Sequence, residues 1–215
     1  VVDSVMNQVY LDNDYLKKAW GINYKENINK YSNYIDGNVG FCGDRSVYEG
    51  DGVSINVQTT YGSFGRFRNN SPIFTCPDIS RDLYSVKTAT IGNKALDYPV
   101  GLISYDELVF AGGKDNTNLS LPYTWYYNNS IDGTSIIGTL YWWTMTSSSI
   151  YNVDTEKNVF AWTAIGSAHP GQLNIPGING TYGVRPVTSL KSCVQWKSGD
   201  GSALSPYEIV ENGGC

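Results

Sequence analysis

Histidine is nearly missing from this chain: His169 stands alone among 215 residues. A Ser–His–Asp relay would have to use that one imidazole as its base, and no Gly-x-Ser-x-Gly elbow offers a nucleophile. It lies in Ala168-His169-Pro170-Gly171, which reads as an exposed loop able to touch a ligand. The four cysteines contain no Cys-x-x-Cys pair, so the spacing of a zinc site is lacking as well. Charged residues are only 16%, with 15 basic against 20 acidic and no basic run. A surface that follows nucleic-acid phosphates is thereby excluded. No apolar stretch reaches the roughly 18 residues that a membrane-spanning helix needs. An initiator Met and a signal peptide are absent too, so Val1 reads as the start of a mature or trimmed fragment, with room for an anchor upstream.

Aromatic and small polar residues fill the space that charge leaves. Seventeen Tyr and six Trp accompany 41% hydrophobic residues, enough for one large domain or a domain with a short appendage. The even set Cys42, Cys76, Cys193 and Cys215, in a Tyr-rich and Lys-poor chain, points to two disulfides and an oxidising, extracellular setting. Buried free thiols are the alternative.

Along the chain, residues 13–35 carry a helical pattern with Asp14 as N-cap and an interruption at Gly21, so 1–35 reads as a helical segment ahead of the domain at 36–215. From 37 to 70, Gly, Asn, Ser and Thr predict long loops and short strands. Cys42 and Cys76 each follow a hydrophobic anchor, Phe41 and Phe74, as a bridge pinning irregular chain to a core would require. Closing a loop of that length would contribute roughly 3–4 kcal/mol. Residues 98–103 predict a buried strand. Ser104 then caps a helix over 105–111, with Asp106 and Glu107 in its first turn and Gly112-Gly113 at its end. Strands are predicted over 141–147, 158–164 and 182–190. A final hairpin turns at Gly199-Asp200-Gly201, and a Cys193–Cys215 bridge would staple its open end.

Candidate chemistry is sparse. Asp106 and Glu107 are adjacent and cannot oppose each other across a glycosidic bond. Asp44 beside Arg45 reads as a loop-organising ion pair, and Arg185 as a buried guanidinium satisfying loop carbonyls or a carboxylate. Trp142 and Trp143 are neighbours on a strand and so point to opposite faces, one into the core. No cofactor is expected. Asp115, Asn116 and Asn118, or Asp51 and Asn56, supply oxygen donors for calcium, although plain turns explain them equally well. The interval 147–181 mixes aromatic plates with amides: Tyr151, Asn152, Asp154, Trp162, His169, Gln172, Asn174 and Asn179. Sugars and protein surfaces both stack on such groups.

Several phrases carry a resemblance to a known family. Tyr182-Gly183-Val184-Arg185-Pro186-Val187 resembles the closing strand of C-type-lectin-like folds, in the branch holding formylglycine-generating-enzyme-like domains and retroelement-diversified binding proteins. Phe41-Cys42-Gly43-Asp44-Arg45-Ser46, Phe74-Thr75-Cys76-Pro77 and Pro99-Val100-Gly101-Leu102-Ile103-Ser104-Tyr105-Asp106-Glu107 are similar to phrases of a group of surface domains of Firmicutes and related bacteria. Ala111-Gly112-Gly113, Tyr141-Trp142-Trp143-Thr144-Met145 and Gly199-Asp200-Gly201-Ser202 follow in the same order, so the likeness spans about residues 30–212.

The resemblance implies an α+β, C-type-lectin-like fold with short twisted antiparallel sheets, two helices, long loops and disulfide staples. It implies a cell-surface or pilus-associated place behind an anchoring segment, and binding through 147–181. The calcium-binding triplets of sugar-binding lectins (Glu-Pro-Asn or Gln-Pro-Asp, and Trp-Asn-Asp) are absent, as is the close reactive cysteine pair of the oxidase branch. The expected function is therefore non-catalytic adhesion to a glycan or protein ligand on a host or neighbouring cell. The alternative is the head of a pilin-like filament subunit packing against copies of itself.

Overall fold

Two long strands with alternating burial organise the protein. The computed structural model describes residues 33–52, 54, 56–86, 94–96, 99–115, 141–153, 156–165, 172–183, 186–200, 205 and 207–211. Its elements in chain order begin with β1 (Phe41–Cys42), β2 (Val47–Glu49), β3 (Gln58–Tyr61), α1 (Gly62–Asn69) and α2 (Ile79–Asp82). Then come β4 (Leu83–Ser85), β5 (Lys94–Ala95), β6 (Gly101–Leu102), α3 (Tyr105–Phe110) and β7 (Lys114–Asp115). The long pair β8 (Tyr141–Val153) and β9 (Glu156–Ile165) follows, then β10 (Gln172–Asn174), β11 (Pro186–Val187), β12 (Trp196–Ser198) and β13 (Glu208–Ile209).

In β8, Trp142, Thr144, Thr146 and Ser148 are buried while Tyr141, Trp143, Met145 and Ser147 are only partly so, the period of two that a half-covered strand requires. β9 pairs with it antiparallel from Tyr141↔Ile165 to Val153↔Glu156, with register shifts around Ser147. A six-stranded sheet grows outward in the order β2-β3-β8-β9-β10-β7. The smaller sheets are β1-β4-β5, β11-β6 and β12-β13. These mixed sheets with three short helices among the described residues make an α+β arrangement.

It departs from the expected all-antiparallel sheets and two helices. β10–β7 and β4–β5 are parallel. The disulfide Cys42–Cys76 is present with its Cα atoms 5.6 Å apart. Cys193 is also disulfide-bonded, and Cys215 lies outside the described residues. The helix expected over 13–35 also lies outside them, except that 33–34 form a turn and Ile35 bridges Leu190.

The core sits where α1 and α3 cover one face of the β8–β9 hairpin. Trp142 and Leu108 are fully buried, and Trp162 and Leu173 are 1% exposed. Trp162 is the hub. Its ring centroid lies 4.3 Å from that of Tyr105 and 5.2 Å from that of Phe67. Its Nε1 donates to Ser63 Oγ at 3.0 Å, and Ser63 Oγ donates in turn to the Ser147 carbonyl at 2.7 Å. Aromatic contacts of this kind add about 0.5–1.5 kcal/mol each beyond the area they bury. The second tryptophan of the adjacent pair, Trp143, is half-buried and packs edge-on against Tyr182, with centroids 4.9 Å apart.

Candidate functional site

Three charged residues from distant parts of the chain meet below one side of the sheet. Asp44 follows β1, Arg66 lies in α1, and Asp106 lies in the first turn of α3. Helix α3 starts where the sequence says it should. Ser104 accepts from Glu107 N at 3.2 Å, while Glu107 Oε2 accepts from Ser104 N at 2.7 Å, a complete capping box. That fixed start aims Asp106 at α1. Arg66 Nε and Nη2 each donate to one oxygen of Asp106 at 2.7 Å, and Ile73 N adds a donor at 3.1 Å. Arg66 Nη1 forms an ion pair with Asp44 Oδ2 at 2.8 Å. Asp44 Oδ1 is occupied by Ser46 N and Ser46 Oγ. Burial alone would lower the pKa of Arg66, but its bonds to Asp106 and Asp44 outweigh that and raise it above the ordinary arginine value.

A second cluster lies alongside. Asp82, with no exposed side-chain surface, accepts from Arg45 Nε and Arg45 N at 2.9 Å, from Arg81 Nε at 3.0 Å and from Arg81 Nη2 at 2.7 Å. The expected Asp44–Arg45 pair is therefore not formed. Neighbours on an extended segment face opposite ways, so Asp44 turns to Arg66 and Arg45 to Asp82.

Against the first cluster opens a cleft of about 350 Å³. Buried Phe41, Leu102 and Ile103 form its apolar wall together with Val187, which β11 places opposite Gly101. Gly101 is needed there, since a Cβ at that position would run into the Phe41 ring. Asp44, Arg66 and Asp106 line the cleft with Ser104 and Glu107, so three carboxylates face one guanidinium. Phe74 stands at the open side. It is 72% exposed and stacked on Phe110, with centroids 3.9 Å apart and planes 10° apart. The disulfide that joins Cys76 to Cys42 holds this segment against β1.

The residues expected to bind ligand differ in exposure where they are described. Trp162 is corrected from surface to core, because its strand turns it toward Phe67 and Tyr105 rather than toward solvent. Tyr151 and Asn179 are exposed, while Gln172 and Asn174 are half-buried on β10. The Asn174 side chain caps its own neighbour, accepting from Ile175 N at 2.8 Å. Asp154, His169 and Arg185 lie outside the described residues, as does the side chain of Asn152. Of the oxygen clusters considered for calcium, Asp51 accepts from Ser54 N and Ser54 Oγ, and Asn56 has a left-handed φ of 62°. These are turn features. Asn116 and Asn118 lie outside the described residues, as does the side chain of Asp115.

Arg66, which the sequence analysis did not single out, is a buried guanidinium holding two carboxylates. A cue existed in the sequence: Phe64 and Phe67 share a helical face, and Arg66 and Arg68 sit in the last turn before a left-handed Asn70. Two glycines hid it. Gly65 is there because the Tyr48 ring lies where a side chain would go.

Compared with known proteins, the chain matches no family model, no curated protein and no solved structure.

Proposed function

We propose that this chain is a non-catalytic recognition domain that works outside the reducing cytoplasm, on a C-type-lectin-like frame at a bacterial surface. The cleft beside Cys42–Cys76 carries that reading. It joins an apolar wall to a few fixed polar groups, the composition of a ligand site. Its carboxylates are engaged in structure: Asp106 is held at both oxygens by Arg66, and Asp44 by Ser46 and Arg66. Such groups orient and attract more readily than they transfer protons. The disulfide accords with an oxidising setting. Tyr151 and Asn179 remain in the proposed surface as a second, outlying contact region, within the stretch first expected to bind.

A screen against glycans and extracellular proteins tests this, using wild type, Phe74→Ala and a Tyr151→Ala/Asn179→Ala double variant. Binding that falls at least about threefold on loss of Phe74 supports the cleft as the site. No ligand, or equal binding by all three proteins, refutes recognition by these surfaces. One observation favours the filament-head alternative. Edge strand β2 leaves Val47 and Tyr48 half exposed, a place where a second copy could add a strand. Concentration-dependent association in sedimentation velocity would select that reading.

A further inference from the structure

We infer that the Cys42–Cys76 disulfide is a redox-operated latch: a dithiol reductant releases Phe74–Pro77 from the open side of the cleft and leaves the rest of the fold in place. The two ends of the bridge are anchored unequally. Cys42 lies in β1, where Phe41 and Cys42 pair with Tyr84 and Leu83 of β4. Phe41 is buried and Gly43 N donates to the Asp82 carbonyl at 2.9 Å, so this end is held without the bridge. Cys76 belongs instead to an irregular connection between α1 and α2. That connection is tied before and after the cysteine. Ser71 N donates to the Arg66 carbonyl at 3.0 Å, and Ile73 N to Asp106 Oδ1 at 3.1 Å. Asp78 starts α2 by accepting from Arg81 N at 3.1 Å. Between those points, the ties found among the described residues are the disulfide and the stacking of Phe74 on Phe110.

Magnitude decides which of the two ties holds the segment. One stacked ring pair contributes less than the ordering of several backbone residues costs. Phe74, mostly exposed, has little buried surface to add. The bridge makes the difference, because a cross-link removes much of the chain's freedom beforehand. Ile73, Phe74 and Thr75 line the cleft, so release takes away its aromatic rim while Phe41, Leu102 and Val187 keep the wall. The latch is independent of which ligand, if any, the cleft takes. Access favours attack on Cys76. Both cysteines are half-buried, but Thr75 and Pro77 beside Cys76 are exposed, whereas Phe41 and Gly43 beside Cys42 are buried. A thiolate of the reductant attacks Cys76 Sγ; the Sγ–Sγ bond breaks, and its electron pair goes to Cys42 Sγ, which takes a proton from water. The second thiolate of the reductant then displaces Cys76 and closes the reductant's own disulfide, so two electrons pass from the dithiol to the protein. A disulfide oxidant reverses both steps.

The test is ¹⁵N relaxation of the whole chain before and after reduction with dithiothreitol. Order parameters of the Phe74, Thr75 and Cys76 amides should fall from about 0.85, the rigid-backbone value, to below about 0.6. Those along β8 and β9 should stay at about 0.85 throughout. Dithiothreitol also acts on the bridge at Cys193, so a Cys42→Ser/Cys76→Ser double variant, oxidised at Cys193, is measured beside it. It should match the reduced protein at 74–76. Oxidised Phe110→Ala should keep Thr75 and Cys76 rigid although the stacking partner is gone. Chymotrypsin gives an independent reading: cleavage after Phe74 should be at least about tenfold faster in the double variant than in oxidised wild type. Segment 74–76 staying rigid in both bridge-free proteins overturns the latch. Loosening of β8 and β9 along with it makes the bridge a global staple and overturns it too. A double variant that stays rigid while reduced wild type loosens moves the effect to the Cys193 bridge, and loosening in oxidised Phe110→Ala moves it to the ring stack; either result ends the assignment.

Discussion

Replacing Arg66 by Met would test whether the buried charge network holds the cleft together. Arg66 is 12% exposed in its side chain, and its partners Asp44 and Asp106 are 4% and 8% exposed, so water cannot readily replace the guanidinium. Methionine keeps most of the stem's volume and removes three contacts of 2.7–2.8 Å. Breaking a buried pair from one side costs about 3–5 kcal/mol, because the other charge is stranded. Ile73 N and Ser46 still serve the two carboxylates, which favours the lower end of that range. A loss near 3 kcal/mol is a large part of the roughly 5–15 kcal/mol that holds a domain folded. It corresponds to a melting-temperature drop of about 6–12 °C for a chain of this size. Urea unfolding at pH 7, followed by tryptophan fluorescence, measures it directly. Adding Asp106→Asn to Arg66→Met should cost less than the two single losses combined, by about 1–3 kcal/mol, because the stranded charge is then gone. A single-variant loss below about 1 kcal/mol, or strict additivity in the double variant, would refute the reasoning.

Two other outcomes follow from the same geometry. Burial alone would raise the pKa of Asp82, but hydrogen bonds from Arg81 and Arg45 outweigh it and hold the group below its ordinary 3.8. Its stabilisation is thus present above the unfolded-state value and is lost as pH falls below 3.8 through the folded-state value. Wild type should therefore lose melting temperature more steeply than Asp82→Asn between about pH 4 and 2.5, and parallel profiles would sink the assignment. Trp162→Phe, which removes the indole donor to Ser63, should cost about 1–3 kcal/mol in urea unfolding and leave ligand binding at the cleft unchanged. Weakened binding with intact stability would return Trp162 to a ligand role.

Local signals were legible, and long-range pairings were not. Ser104-Tyr105-Asp106-Glu107 specifies its own helix start, because the capping box uses atoms within four residues. β9 announced itself through alternating residues and β8 through its aromatic run, but their pairing did not. β8 runs to Val153, beyond the expected 147, where Ser149 is buried opposite Thr60 of β3 and Phe160 of β9. The strand expected over 182–190 is broken into a bridge at Gly183, the pair Pro186–Val187 and a bridge at Leu190, each meeting a different partner. Helix α1 was masked by Gly62 and Gly65, whose reasons lie in Ser46 and Tyr48, residues no local window connects to them. The candidate site fell into the same blind spot. Asp44, Arg66 and Asp106 each look ordinary until the fold makes them neighbours.

The way the cleft is assembled has a consequence for how the protein can be cut or regulated. Its lining comes from segments around Phe41, Arg66, Phe74, Leu102–Glu107 and Val187, which no contiguous fragment of modest length contains. No half-site exists to be displayed on its own, so a proteolytic fragment or a partly folded chain would be blind to ligand. Binding would then read out completion of the whole architecture. A ligand at a hundred times its Kd would return about 2.7 kcal/mol to the folded state. Occupancy and resistance to unfolding would rise and fall together.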